Sequence, residues 1–314
     1  MDENAWLAAL ICPVCGAALT RGSGRFACAQ GHAFDIAREG YVNLLSGVRR
    51  PPLAGDARPM LQARRRLLER GIYRPLSDAV SALVAAHLDG LGRTAGYGGD
   101  VPRVLDAGCG EGYYLGELGR RLRQRPDGGA VGLCGVDIAK DAIKLAARRH
   151  PDALFLVADA TGRLPLADGF ADALLNIFAP RNPAEFDRAL APAGLLLVVI
   201  PGPGHLAELR AALGLLDIEA NKEHRVAERF AGRFAPAAAE TLAYDLELDR
   251  EGVRDLVLMG PNYRHLSDRT RAALDRLDRF RTRAEFVVMR FRKAGGGADG
   301  RVGGLPQGDR PGRP

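Results

Sequence analysis

Between residues 101 and 201 the apolar positions of this chain follow two alternating rhythms. Mostly apolar stretches near 102–106, 131–136, 153–158, 172–177 and 194–201 read as strands. The stretches 112–123, 139–149, 183–191 and 204–214 repeat their apolar residues at helical spacing. Strands that take turns with helices predict an α/β fold, a parallel sheet covered on both faces. Further on, strand-like runs at 240–248 and 283–291 flank helical stretches at 250–259 and 267–278. Upstream, a helical run from Pro75 to His87 ends at the breaker GLGRTAGYGGD, and no internal repeat is evident. The pattern divides the chain into four parts. Residues 1–46 form a small cysteine–histidine module, 47–100 an Arg-rich linker and helix, and 101–292 the α/β domain. Residues 293–314 are a Gly/Pro/Arg-rich tail without apolar periodicity and are expected to be disordered.

Composition changes this picture. A chain of 314 residues exceeds one typical domain, and 47% hydrophobic residues supply ample core. No apolar run reaches the roughly 18 residues of a membrane span. The N-terminus MDENAWLAALICPVC starts acidic and carries a CxxC where a signal peptide would be cleaved. The five cysteines, three of them in metal-ligand spacing, point to a reducing cytoplasm and not to a disulfide framework. The net charge of +6 is uneven: residues 49–74 hold Arg49, Arg50, Arg58, Arg64, Arg65, Arg66, Arg70 and Arg74 against Asp56 and Glu69, which is again +6. Such a stripe is either a footprint for nucleic acid or the solvated face of an Arg-rich helix.

Chemistry concentrates where the first strand of the large domain ends. Val104-Leu-Asp-Ala-Gly-Cys-Gly-Glu-Gly112 runs an apolar strand into Asp106 and three alternate glycines, Gly108, Gly110 and Gly112, before a helix. Glycines there let a ligand approach the backbone with no Cβ in the way. The next strand ends in Asp137, placed to hold the two hydroxyls of a ribose. GxGxG spacing, in place of the dinucleotide GxGxxG, favours S-adenosylmethionine, with Asp106 and Glu111 at its amino-acid end. Asp159, after the third strand, either faces the adenine amino group or is a solvated turn aspartate. Cys109 lies inside the loop, and no Pro-Cys dipeptide occurs in the chain, so it reads as packing and not as a nucleophile.

Two close ligand pairs, Cys12-Pro-Val-Cys15 and Cys28-Ala-Gln-Gly-His32, are separated by twelve residues. Three thiolates and one imidazole suit tetrahedral zinc, and four protein ligands leave no open position, so the ion is structural. Phe26 and Phe34 read as the small core beside it. Fewer than fifty residues with few large apolar groups need such a staple.

At the end of the fourth strand, Asn176-Ile-Phe-Ala-Pro180 resembles the (N/D/S)PP(Y/F) element that grips an exocyclic or ring nitrogen. Asn176 can only orient, Phe178 stacks on a base or packs in the core, and Arg181 stabilises a purine anion or binds a phosphate. These are the acceptor-side candidates.

The strings ICPVCGAAL, FACAQGHAFDIAREGYVNLL, MLQARRRLLERGIYRPL, VLDAGCGEGYY and PGPGHLAEL, in that order over roughly residues 10 to 215, carry a resemblance. The chain resembles the RlmA (RrmA) family of 23S rRNA guanine-N1 methyltransferases. LLNIFAPRNPAEF, LGLLDIEANKEHRVAERF and VLMGP look closer to its second subgroup, which includes enzymes giving tylosin-type macrolide resistance. Ala193 departs from the glycine of many relatives. The resemblance implies a class I, Rossmann-like methyltransferase with a seven-stranded sheet whose last strand is antiparallel. It implies a zinc module that binds RNA, a homodimer, and a target in a hairpin loop of 23S rRNA. It also implies donor contacts from Tyr73 and His205; by themselves these residues also read as a helix-packing aromatic and a helix N-terminal residue. Rival readings are a small-molecule methyltransferase and a non-catalytic zinc RNA-binding protein.

Overall fold

A computed structural model of the chain describes residues 3–45, 56–91, 101–125, 130–260, 262–263 and 266–294. Arg49, Arg50, the breaker after residue 91 and the tail beyond residue 294 lie outside the described residues. A 3-10 turn, Glu3–Ala9, precedes strands β1 (Leu19–Arg21), β2 (Arg25–Cys28), β3 (Ala33–Asp35) and β4 (Val42–Asn43). Helices α1 (Arg58–Glu69) and α2 (Arg74–Gly90) follow. Next come β5 (Arg103–Ala107), α3 (Tyr113–Arg123), β6 (Gly132–Asp137), α4 (Lys140–Arg149), β7 (Leu154–Val157) and β8 (Ala171–Ile177). The rest is α5 (Pro183–Ala189), β9 (Leu190–Pro201), α6 (Ala207–Leu213), α7 (Lys222–Phe230), β10 (Phe234–Asp249), α8 (Arg250–Leu258), α9 (Asp268–Leu274) and β11 (Arg279–Lys293).

The large sheet has the order β10-β11-β9-β8-β5-β6-β7-β4. Strands β5 to β9 pair in parallel, and β11 runs antiparallel between β9 and β10. Every residue of β8, ADALLNI, is buried, as a central parallel strand with both faces covered requires. The antiparallel last strand agrees with expectation. The sheet has eight strands where seven were expected, because β4, coming out of the cysteine module, adds parallel to β7 through Val42–Leu156 and Asn43–Val157. Two residues are too short a run to announce a strand by period.

Two further differences have clear causes. Helix α1 stands where the sequence reads as an Arg-rich linker: Met60, Leu61, Ala63, Leu67 and Leu68 form its buried stripe, hidden among arginines on the other face. Hairpin β10–β11 is longer than expected at both ends. Small exposed alanines on β10 carry no apolar alternation, so pairing with β11 fixes its extent.

The core has one large cluster on each side of the sheet. One, built on α2, α3, α8 and the inner residues of β5, β8 and β9, includes Leu76, Val80, Leu115 and Phe286. The other joins Leu105, Val136, Leu156, Phe186 and Phe230 to Trp6, Leu10, Phe26 and Phe34 of the cysteine module. The module therefore shares its core with the sheet; Phe26 and Phe34 pack beside Cys12 and Cys28 in that continuous layer. Among the described residues, no helix is long and apolar enough to cross a membrane.

Candidate functional site

The carboxyl ends of the parallel strands converge on one crevice, the usual ligand position in an open α/β sheet. At the end of β5 the chain turns through Gly108, Gly110 and Gly112, all with positive φ (93°, 55° and 77°). A Cβ on Gly108 would overlap the Cβ of Ala179, so a side chain is barred by space as well as by backbone. Cys109 is buried with its thiol pushed well above the usual range by desolvation and then by the Asp106 charge, which suits packing.

Three carboxylates surround this loop. Asp137 accepts the N–H of Gly110 at 2.9 Å and that of Ala139 at 2.8 Å, which ties the end of β6 to the loop. Asp106 is buried, one of its oxygens has no hydrogen-bond partner, and burial followed by the Asp137 charge raises it to about 8. Glu111 is buried with both oxygens lacking a hydrogen bond; burial raises it, opposed by Arg149, whose guanidinium lies 3.6 Å away. Orphaned buried acceptors are costly in a finished fold and mark a place where a ligand supplies the missing donors. An ammonium and a pair of ribose hydroxyls supply such donors. The residues present fit S-adenosylmethionine. Asp159 lies near the end of β7, where its Oδ1 accepts both the N–H and the hydroxyl of Thr161 in a closed turn.

A second group of rings stands beside the loop. Tyr73, at the start of α2, is buried against Phe286 (ring centroids 5.0 Å apart) and lies 6.5 Å from Phe178. Its hydroxyl is 3.4 Å from His205 Nε2. His205 follows β9 and is buried; desolvation, then Arg210, lowers it to about 4, so the ring is neutral at physiological pH. Glu285 holds this segment: its carboxylate accepts the N–H of Gly204 at 2.8 Å, and its own N–H donates to His205 Nδ1. Nothing in the sequence signals Glu285, eighty residues away.

The acceptor-side candidates separate into two kinds. Asn176 is fully buried and donates to the carbonyls of Ala107 and Pro180 while its oxygen accepts Arg181 Nε at 3.1 Å. No polar atom of it is left for a substrate; it orients the loop. Phe178 is the opposite, 41% exposed and held at φ +54°, a conformation that costs a bulky side chain energy. It stands beside Tyr114 and Phe286 and faces solvent. Burial lowers the Arg181 guanidinium, and Arg229 adds to this; Lys222 is lowered by burial and by Arg181. Arg181 thus lies close enough to Arg229 and Lys222 for their charges to interact.

Five described arginines of the stripe are paired with carboxylates. Arg58 pairs with Asp141, Arg64 with Asp56, Arg65 with Glu69, Arg66 with Asp255 and Arg70 with Asp249. Arg58 ties α1 to α4, and Arg66 and Arg70 tie it to α8 and its N-cap; the acids Asp249 and Asp255 lie nearly two hundred residues downstream and carry no local signal. Arg64 is the unexpected one, because its Nη1 hangs 3.6 Å from where a Cβ on Gly110 would stand.

In the N-terminal module, Cys12, Cys15, Cys28 and His32 present their ligand atoms within 4.8 Å of one another. Each pair sits on a tight turn closed by a glycine with positive φ, Gly16 after Cys15 and Gly31 before His32. Desolvation opposes ionisation of Cys28, but the N–H groups of Gln30 and His32 and the His32 ring outweigh it and bring the thiol down to about 6. A ready thiolate in a tetrad of sulfur and imidazole fits zinc, and four ligands close its sphere.

Fold, glycine loop and zinc tetrad together define a class I S-adenosylmethionine-dependent methyltransferase with an N-terminal zinc ribbon. Comparison with known proteins agrees: the family described as RlmA, N-terminal, matches residues 10–48, and a methyltransferase domain family matches residues 104–194. A protein of Streptomyces fradiae named 23S rRNA (guanine(748)-N(1))-methyltransferase is 44% identical over 82% of this chain and 86% of its own length. A Micromonospora griseorubida protein provisionally named 23S rRNA (guanine-N(1)-)-methyltransferase is 43% identical over 82% of this chain and 87% of its own. One from Bacillus subtilis (strain 168), also with a provisional name of this kind, is 34% identical over 80% and 85%. The chain belongs to the family of 23S rRNA (guanine-N1)-methyltransferases.

Proposed function

We propose that this chain methylates N1 of an unpaired guanine in a hairpin loop of 23S rRNA, in the cytoplasm. The observation that carries this is Phe178: an exposed ring, held in a costly backbone conformation, at the end of β8 and beside the glycine loop. A flat apolar face of that kind is a platform for a base that has left its stack. The identity of the base comes from the names of the relatives that match both the ribbon and the sheet.

In this reading Gly108, Gly110 and Gly112 admit the donor, Asp106 and Glu111 hold its ammonium, and Asp137 holds its ribose. Tyr73 and His205 close the donor end, and Asp159 stands near the adenine. S-adenosylmethionine supplies a methyl group already activated by a sulfonium. What the chain adds is placement: N1 lies on the Watson–Crick edge, so the base must be presented unpaired and in line. Phe178 holds its plane, and Asn176 fixes the loop that positions the donor. N1 carries a proton near neutrality that passes to solvent water as the N1–C bond forms and the S–C bond breaks, and Arg181, with Lys222 nearby, stabilises the purine as that proton leaves.

Cys12, Cys15, Cys28 and His32 hold the zinc that orders the ribbon, and the ribbon engages the RNA. A homodimer belongs to the same proposal; β10 leaves one sheet edge unpaired among the described residues. The test is mass spectrometry of rRNA from cells with and without the gene, followed by primer extension. An N1 methyl blocks base pairing, so a stop present only with the gene is expected; identical rRNA from both strains overturns the proposal.

A further inference from the structure

The donor reading leaves one charge without a counterpart. The crevice offers three carboxylates, Asp106, Glu111 and Asp137, to a ligand whose amino-acid end carries an ammonium and a carboxylate. Carboxylates satisfy the ammonium and repel its neighbour, and the second charge requires a cation. Two arginines come near the loop. Arg149 is committed, paired with Glu69 and 3.6 Å from Glu111. Arg64 is not committed in the same way.

Arg64 reaches the loop from α1. Helix α1 is pinned to α8 by the two-pronged Arg66–Asp255 pair and by Arg70–Asp249. From there Arg64 Nη2 donates to the carbonyl of Met259, at the end of α8, at 3.0 Å. Its Nη1 donates to Asp56 at 2.5 Å and hangs 3.6 Å from the place a Gly110 Cβ would fill. A guanidinium has five N–H donors in a planar fork, and these two bonds use two of them. Its charge is felt across the crevice, at Glu111, Asp137, Tyr73 and Tyr114.

The geometry points to Arg64 as the anchor of the donor's α-carboxylate, with the Asp56 carboxylate as the anion that the ligand replaces or competes with. This rests on the donor-site reading above. It assigns α1 a second role, as the cover that carries a binding group over the loop. It also explains why an arginine of the basic stripe is turned inward.

Titration calorimetry of the full chain with two ligands tests the assignment. One is S-adenosylmethionine; the other is its decarboxylated analogue, which keeps sulfonium, ammonium and nucleoside but has no carboxylate. The native protein should prefer the former by about tenfold or more, as a charge-assisted fork is worth. Arg64→Gln should abolish the preference while leaving the analogue's affinity nearly unchanged, and that retained binding reports an intact site. Asp56→Asn should strengthen S-adenosylmethionine binding and leave the analogue alone. A preference that survives in Arg64→Gln overturns the assignment. Where Arg64→Gln binds neither ligand, Asp56→Asn decides: a selective gain supports the anchor, and no gain overturns it. Native protein that binds neither ligand would instead refute the donor-site reading itself.

Discussion

The main-chain N–H of Glu285 donates to Nδ1 of His205 at 3.1 Å. A neutral imidazole that accepts at Nδ1 must carry its hydrogen on Nε2, which lies 3.4 Å from the Tyr73 oxygen. Tyr73 then receives a hydrogen bond from the ring and is free to donate its own hydroxyl hydrogen into the crevice. Tyr73→Phe should weaken S-adenosylmethionine binding by about tenfold, the worth of a hydrogen bond to a charged group, and should also lower the melting temperature, because it strands the buried His205 Nε2–H. Calorimetry and thermal unfolding on the same sample check both halves.

The same burial gives a pH signature. His205 is lowered from 6.5 to about 4 in the folded chain, so the unfolded chain takes up a proton first as pH falls. Its contribution to stability is complete above pH 6.5 and is lost as pH falls from there towards 4. Denaturant titrations at pH 7 and pH 5 should differ by less in His205→Gln than in the native protein; an equal difference would argue against a neutral buried ring.

Asp106 works in the opposite sense. Its folded value of about 8 lies above its ordinary 3.8, so the native chain holds a proton there that the unfolded chain has released. Stability from this group therefore falls as pH rises between those values. Asp106→Asn should raise the melting temperature of the ligand-free protein at pH 8 and at the same time lose donor affinity. Stability traded against a binding charge is expected at a site built for a ligand.

Phe178 allows stacking to be separated from folding. At φ +54° a phenylalanine carries strain of roughly 1 kcal/mol or more that glycine does not. Phe178→Gly should therefore leave the melting temperature close to native, yet lower RNA methylation at limiting RNA by about tenfold, as loss of one base–aromatic stack does. Phe178→Trp should retain activity. Full activity in the glycine variant would remove the platform role.

For Arg66 the outcome expected is structural. Its partner Asp255 is buried, whereas Arg66 itself is half exposed, so screening lowers the worth of the pair. Arg66→Ala should cost about 2 kcal/mol in chemical denaturation, because it strands a buried carboxylate. RNA affinity and its salt dependence should hardly change. A flattened salt slope would return the stripe to the RNA.

What the sequence made legible was whatever repeats locally. Parallel strands such as β5, β6 and β8 are mostly apolar, and Asp106, Asp137 and Asn176 lie at or near their carboxyl ends. The two ligand pairs of the zinc tetrad are each confined to five residues or fewer. Hidden were the relations between distant segments. Asp255 meets Arg66 and Glu285 meets His205 only after folding, and neither acid has a neighbour in sequence that hints at its partner. Asn176 resembles a substrate ligand by motif, but its amide is spent on Ala107, Pro180 and Arg181, a set of partners that forms only on folding. Exposure of Phe178 was equally invisible, since an aromatic after a buried strand reads the same in either place.

Strand β4 has a mechanical consequence. The two residues that leave the metal-bearing segment are stitched into the margin of the sheet, and Leu44 donates its N–H to the Val157 carbonyl just beyond them. Swivelling that segment away from the crevice would tear main-chain bonds and open a shared apolar layer. If the ribbon engages the RNA as proposed, the two contacts stand at a fixed distance, so compliance must come from the nucleic acid.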